Sequence, residues 1–251
     1  MIHSILVIGQ SNAAGRGFKE EVEPILNDRL LVLRNGRWRK MYVPVNPDRK
    51  MSGISLAESF ADLYAREHDV DTGIIPCADG GTNLDQWQVG GLLFDHACYM
   101  AELASRTSTI AAVLWHQGES DCAPEKYPLY EEKVTVILDA FRKELGLEDV
   151  PFLLGGLGDF LKDYTKSESI PQNYVHINAS LKRVSEKLPM TGFVPATGLG
   201  ANPDNLHFCA TALREFGERY YRVFQTLENK NKVFIEKSTP DQAIRTEIEH
   251  L

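Results

Sequence analysis

The sequence predicts an α/β protein, a three-layer α/β/α sandwich around a mostly parallel sheet, and two observations carry that prediction. Short apolar runs of strand length recur at 2–8, 72–77, 109–115, 151–155 and 192–196. Strands buried on both faces read as such runs. Between them lie stretches with apolar residues at helical spacing. Strands alternating with helices imply parallel pairing through right-handed helical crossovers, with helices on both faces of the sheet.

In chain order, the first run, Ile5-Leu6-Val7-Ile8, stops at Gly9-Gln10-Ser11-Asn12. Glycine and small polar residues there mark a turn. Ser11 therefore sits at the carboxyl end of a strand, where open α/β sheets bind ligands. Residues 30–45 break the rhythm as two short strands around Asn35-Gly36, a two-residue hairpin signal. The hairpin follows the Ser11 loop and is a candidate wall for a cleft there. Leu56, Phe60, Leu63 and Tyr64 give the first helix face, and the strand at 72–77 runs into Asp79-Gly80-Gly81-Thr82-Asn83. Leu93, Ala97, Met100, Ala101 and Ala104 form the next face. The strand at 109–115 ends in Trp115-His116-Gln117-Gly118-Glu119-Ser120-Asp121. A third face follows at Val134, Ile137, Leu138, Phe141 and Leu145, then the strands at 151–155 and 192–196. Asp204-Asn205-Leu206-His207 precedes a last face of Leu213, Phe216, Tyr220, Phe224 and Leu227. The expected sheet is flavodoxin-like.

The 251 residues are 43% hydrophobic and 25% charged, with a net charge of −8. These are ordinary globular values, enough for one large core. The negative balance argues against nucleic acid or an anionic membrane surface as partner. Cys77, Cys98, Cys122 and Cys209 show no CxxC pair and no zinc-like spacing. Reduced, mostly buried thiols and no metal are the expectation. No secretory signal pattern precedes the first strand and no apolar run is long enough to span a bilayer, so a cytoplasmic protein is expected. Oligomeric state is left open.

A serine hydroxyl is a poor nucleophile until a positioned base takes its proton. His207 is the natural base, since imidazole titrates near working pH. Asp204, three residues earlier in a turn ahead of a helix, can reach Nδ1 while Nε2 faces Ser11. The structural alternatives are a turn or N-cap aspartate and a solvent-facing histidine at a helix start. Glycines at Gly80 and Gly81 let backbone N–H groups approach an oxyanion. A side-chain amide such as Gln117 can donate to one as well. Gln10, Asn12, Arg16, Trp87 and His116 are candidate substrate contacts. For Trp87 the choice is between stacking on a ligand ring and packing. Trp38 in the hairpin has the same two readings, and His116 reads first as a residue that shapes the site.

The combination resembles a known family. GQSN after strand one, GGT after strand two, HQGE after strand three and D-x-x-H near the C-terminus look like the carbohydrate-esterase branch of the SGNH hydrolases. That branch includes sialate O-acetylesterase-like and acetylxylan-esterase-like domains. The resemblance covers 2–227. It implies an esterase domain over 1–229, with 230–251 as an appendage of the same domain or a frayed end. That tail holds one short apolar run, Val233-Phe234-Ile235, before a charged segment. The resemblance also implies Ser11 as nucleophile, His207 as base and Asp204 as orienting acid. The oxyanion hole would draw on the Ser11 N–H, a backbone N–H from Gly80 or Gly81, and the Gln117 side chain. Glu119 competes with Asp204 for the acid role, or else acts as a brace behind the site. The implied activity is removal of O-acetyl groups from a small carbohydrate, either an acetylated xylo-oligosaccharide or an O-acetyl sialic acid. It needs no cofactor.

Rival readings fare less well. An α/β-hydrolase elbow needs G-x-S-x-G, and position 13 is Ala. Neither phosphate-binding glycine pattern is present in 9–17. A catalytically weak or inactive flavodoxin-like carbohydrate-binding domain is the alternative that remains.

Overall fold

The computed structural model describes residues 2–238, with side chains through 228. Seven strands form one sheet: β1 (Ile2–Gly9), β2 (Leu30–Arg34), β3 (Arg37–Lys40), β4 (Thr72–Pro76), β5 (Ser108–His116), β6 (Phe152–Gly155) and β7 (Thr191–Val194). Their order is β3-β2-β4-β1-β5-β6-β7, and every pairing is parallel except β2 with β3. The helices are α1 (Ser11–Ala14), α2 (Leu56–His68), α3 (Leu92–Ser105), α4 (Tyr130–Glu144), α5 (Ser169–Lys187) and α6 (Ala210–Ser238).

Successive strand residues point to opposite faces, so β1 feeds two cores. Ile5 and Val7 pack with Leu56 and Phe60 of α2 and with Leu213 and Phe216 of α6. Leu6 and Ile8 pack with Ala97 of α3, Ile137 of α4 and Ile177 of α5. This is the expected three-layer arrangement. α2 starts at a capping box, in which Ser55 Oγ accepts the Ala57 N–H and Glu58 Oε1 accepts the Ser55 N–H.

The placing of the hairpin and the helix α5 depart from the sequence reading, and Trp38 takes the packing one of its two readings. The hairpin turns at Asn35 (φ 49°) and Gly36 (φ 71°), a pair of positive φ values suited to a tight two-residue turn. It forms the outer edge of the sheet, and the cleft is walled instead by the loop that follows it, at 46–52. Trp38 lies over Gly73, where a Cβ would come within 2.3 Å of its ring, and donates to Thr107 Oγ1. It is a packing residue of the edge. Finally, α5 was not anticipated, although Tyr174, Ile177, Leu181 and Val184 carry its buried face at helical spacing. The four cysteines are free thiols, three of them buried. Of the tail, 230–238 continues α6, and 239–251 lies outside the described residues. Among the described residues no helix is long and apolar enough to cross a membrane.

Candidate active site

β1 ends at Gly9, whose φ of 128° and close approach to β5 exclude a side chain: a Cβ there would lie 2.1 Å from the His116 carbonyl oxygen. Gln10 N–H donates to that carbonyl, and the chain then turns into α1 with Ser11 as its first residue. β1 is the central strand: β2, β3 and β4, which follow it in the chain, lie on one side and β5, β6 and β7 on the other, so Ser11 stands at the switch point of the sheet.

His207 arrives on the loop just ahead of α6. Its Nε2 lies 3.0 Å from Ser11 Oγ, and its Nδ1 lies 2.6 Å from Asp204 Oδ2. The other carboxylate oxygen of Asp204 accepts the N–H groups of Leu206 and His207, at 2.9 and 3.0 Å. Such a side-chain-to-backbone turn fixes the carboxylate beneath the ring. Burial pushes the Asp204 carboxyl up, but the two N–H groups and His207 outweigh it and hold the group below its usual value. Asn12 ties this loop to the nucleophile turn. Its Oδ1 accepts the Phe208 N–H, and its Nδ2 donates to Leu206 O and, at 2.6 Å, to Glu119 Oε1.

These contacts separate the two acid candidates. Asp204 meets His207, whereas the buried Glu119 meets Asn12 and lies 3.5 Å from His116 Nε2. Burial pushes Glu119 up, but His116 and Asn12 bring it below the usual carboxylate range. Glu119 is a charged brace behind the nucleophile turn.

Several proposed contacts are corrected. Gln117 is fully buried, and its amide nitrogen donates to Asp121 Oδ2 (2.5 Å), Thr82 O (3.1 Å) and Gln10 Oε1 (3.2 Å). With its donors spent inside the protein, it has none for an oxyanion. Gly80 N–H is likewise taken, by Asp48 Oδ2 at 2.8 Å. Among the described residues the Ser11 and Gly81 N–H groups meet no acceptor. Gln10 borders the cleft. Its Oε1 accepts Gln117 Nε2 and Gly118 N–H, while its own amide N–H groups have no acceptor among the described residues. Asn12 is saturated as described and does not line the cleft. Trp87 is fully buried, with Nε1 on Thr82 Oγ1 and its ring edge-on to Trp115. It cannot stack on a ligand. His116 is buried between the rings of Phe208 and Phe216. Arg16 does line the cleft, but both terminal nitrogens are held by Asp48, at 3.0 and 2.7 Å.

The cleft has a volume of about 380 Å³ and is floored by Gln10, Ser11, Gly80, Gly81 and His207. Its rim includes Leu206 of the D-x-x-H block, and four further residues, Arg49, Met51, Tyr164 and Ile170, lay outside the sequence reading. These residues come from loops and a helix start that carry no motif. Among the described residues no group of three His, Cys, Asp or Glu could hold a metal ion.

The family model for sialic acid-specific acetylesterases, a carbohydrate esterase family, matches residues 2–226. The chain belongs to this family. A probable carbohydrate esterase of Arabidopsis thaliana is 26% identical over 238 residues, 84% of this chain and 86% of that protein. A solved Arabidopsis thaliana structure superposes with a TM-score of 0.78 at 25% identity, over 89% of this chain and 98% of the other. A carbohydrate acetylesterase from Xanthomonas citri shares the fold, with a TM-score of 0.67 at 21% identity, over 89% of this chain and 56% of that one. This acetylesterase-family member is thus a carboxylic ester hydrolase with the SGNH-hydrolase fold, a mostly parallel sheet between helical layers.

Proposed function

We propose that the protein removes O-acetyl groups from carbohydrates through a Ser11–His207–Asp204 triad and an acyl-enzyme. The observation that carries this reading is the in-line pair of contacts, Ser11 Oγ to His207 Nε2 at 3.0 Å and His207 Nδ1 to Asp204 Oδ2 at 2.6 Å. It stands at the floor of a cleft that also holds two backbone N–H groups with no acceptor among the described residues. His207 takes the Ser11 proton as Oγ attacks the acetyl carbonyl. The N–H groups of Ser11 and Gly81 receive the oxyanion, and the Gln10 amide is the side-chain donor open to the bound ester. His207 then protonates the departing sugar oxygen. Water, activated by the same imidazole, releases acetate and restores Ser11. O-acetyl sialic acid is the first substrate to examine, since the family model is named for it. Acetylated xylo-oligosaccharides come next.

The test is hydrolysis of p-nitrophenyl acetate by wild type beside Ser11→Ala and His207→Ala, with butyrate and octanoate esters in parallel and the acetylated sugars after them. Acetate turnover should vanish in both variants and fall with acyl length in the wild type. Undiminished turnover in either variant would overturn the triad.

A further inference from the structure

Of the two glycines that could offer an N–H to the oxyanion, Gly80 spends its N–H on Asp48. We propose that Asp48 and Arg49 are positioning residues: they grip the Gly80 backbone from two sides and so present the Gly81 N–H to the developing oxyanion. The inference rests on the ester-hydrolysis reading above.

The grip has two halves. Asp48 Oδ2 accepts the Gly80 N–H at 2.8 Å, and Arg49 Nη2 donates to the Gly80 carbonyl at 3.1 Å. In a trans peptide the C=O and the following N–H point in opposite directions. Fixing the Gly80 carbonyl on Arg49 therefore fixes the direction of the Gly81 N–H, which has no acceptor among the described residues. Gly81 has a φ of 79°, with nothing within 4 Å of where its Cβ would be. No side-chain packing at that position holds the Gly-Gly turn in place, so the contacts at Gly80 restrain it, together with the Thr82 hydroxyl, which donates to the Asp79 carbonyl at 2.7 Å. The turn lies beside the nucleophile: a Cβ on Gly80 would be 3.6 Å from Ser11 Cβ.

Both gripping residues are themselves anchored. Asp48 receives two hydrogen bonds from Arg16 and one from the Ser52 hydroxyl, and the Arg16 and Asp48 side chains are only 3% and 5% exposed. Burial pushes Asp48 up, and Arg16, Ser52 and the Gly80 N–H outweigh it, so the group stays a carboxylate. Arg49 Nη1 lies 2.8 Å from both Asp48 O and Asp79 Oδ1. Gly80 must be glycine because a Cβ would come within 2.5 Å of Arg16 Nη2. The parts converge on the two peptide units that flank the Gly80 Cα, and preorganised donors are what oxyanion stabilisation requires.

The oxyanion is absent from the bound ester and forms only in the tetrahedral intermediate and its flanking transition states, so loosening its donor lowers kcat and leaves KM nearly unchanged. Arg49 is half-exposed, so Arg49→Ala should fold; Asp48→Asn keeps the shape of the buried partner. With p-nitrophenyl acetate, each variant should lose roughly 10–100-fold in kcat, less than the full loss of an oxyanion donor. Arg49→Ala should keep the wild-type thermal midpoint and regain turnover when guanidinium ion is added at a non-denaturing concentration. Ser11-dependent turnover in the wild type with undiminished kcat in Arg49→Ala and Asp48→Asn overturns the grip alone. Wild type without Ser11-dependent turnover overturns the esterase reading, and the grip falls with it.

Discussion

A carboxylate only accepts hydrogen bonds, so the 2.6 Å contact with Asp204 places the proton of His207 on Nδ1 and leaves the Nε2 lone pair facing Ser11. Asp204→Asn would offer an amide in its place and favour the opposite tautomer, which cannot take the serine proton. In a Ser-His-Asp triad that change costs roughly 10⁴-fold in kcat, and a loss approaching this size is expected here. Glu119→Gln should cost far less, within about tenfold, since Glu119 touches Asn12 and an amide oxygen can still accept from it. Steady-state kinetics of the two variants checks this, and a deeper loss from Glu119→Gln would reverse the roles. The pairing of Asp204 with His207 was legible because three residues of a turn fix it locally. The direction of Gln117 was not: its rotamer is decided by Gln10, Thr82 and Asp121, which come from three separate segments.

The two halves of the triad are joined by a pair of helices. α2 begins where Ser55 Oγ donates to Ala13 O in the nucleophile turn, and α6 begins three residues after His207. They pack backbone to backbone at Gly217, where a Cβ would lie 2.1 Å from Ser59 Oγ and 2.2 Å from the Leu56 carbonyl oxygen. Close by, Arg214 Nη1 pairs at 2.6 Å with Glu58 Oε2, whose side chain is fully buried. The distance between these helices therefore bears on the Ser11–His207 distance. Gly217→Ala should destabilise the protein by about 1–3 kcal/mol through overpacking, read as a lowered denaturation midpoint; an unchanged or raised midpoint would refute the close approach. Apolar spacing alone revealed α2, α3, α4 and α6, because each buries one stripe against the sheet. α5 carried the same signal in Tyr174, Ile177, Leu181 and Val184, and its face could have been read. The close contact at Gly217 could not, since a glycine in a helical run says nothing about what crosses it.

Across the whole molecule, the site assembles because β1, β4 and β5 lie side by side and each ends in one of the sequence blocks. Strand ends were legible, so the meeting of GQSN, GGT and HQGE followed from topology. Asp48 and Arg49 sit in a loop without periodicity and needed the folded chain to be seen. Behind these strand ends lies Asp121, buried, accepting the Leu84 N–H and the Gln117 amide and so joining the ends of β4 and β5. Burial pushes its carboxyl from the ordinary 3.8 up to about 6, against the opposing pull of those donors. Below about pH 4 both folded and unfolded chains hold this proton, and the group is neutral to stability. As pH rises towards 6 the unfolded chain releases the proton first. The folded chain then binds more protons, so stability falls with rising pH across this window. The difference corresponds to on the order of 3 kcal/mol. Asp121→Asn has no such proton to lose, so its stability relative to wild type should rise by that order between about pH 4 and pH 7. Urea unfolding of both proteins across the window measures it, with the shared titrations of other groups cancelling in the comparison. A stability difference that stays flat with pH would mean that Asp121 is solvated as an ordinary surface carboxylate, and that the strand ends behind Ser11 are held by something other than this buried network.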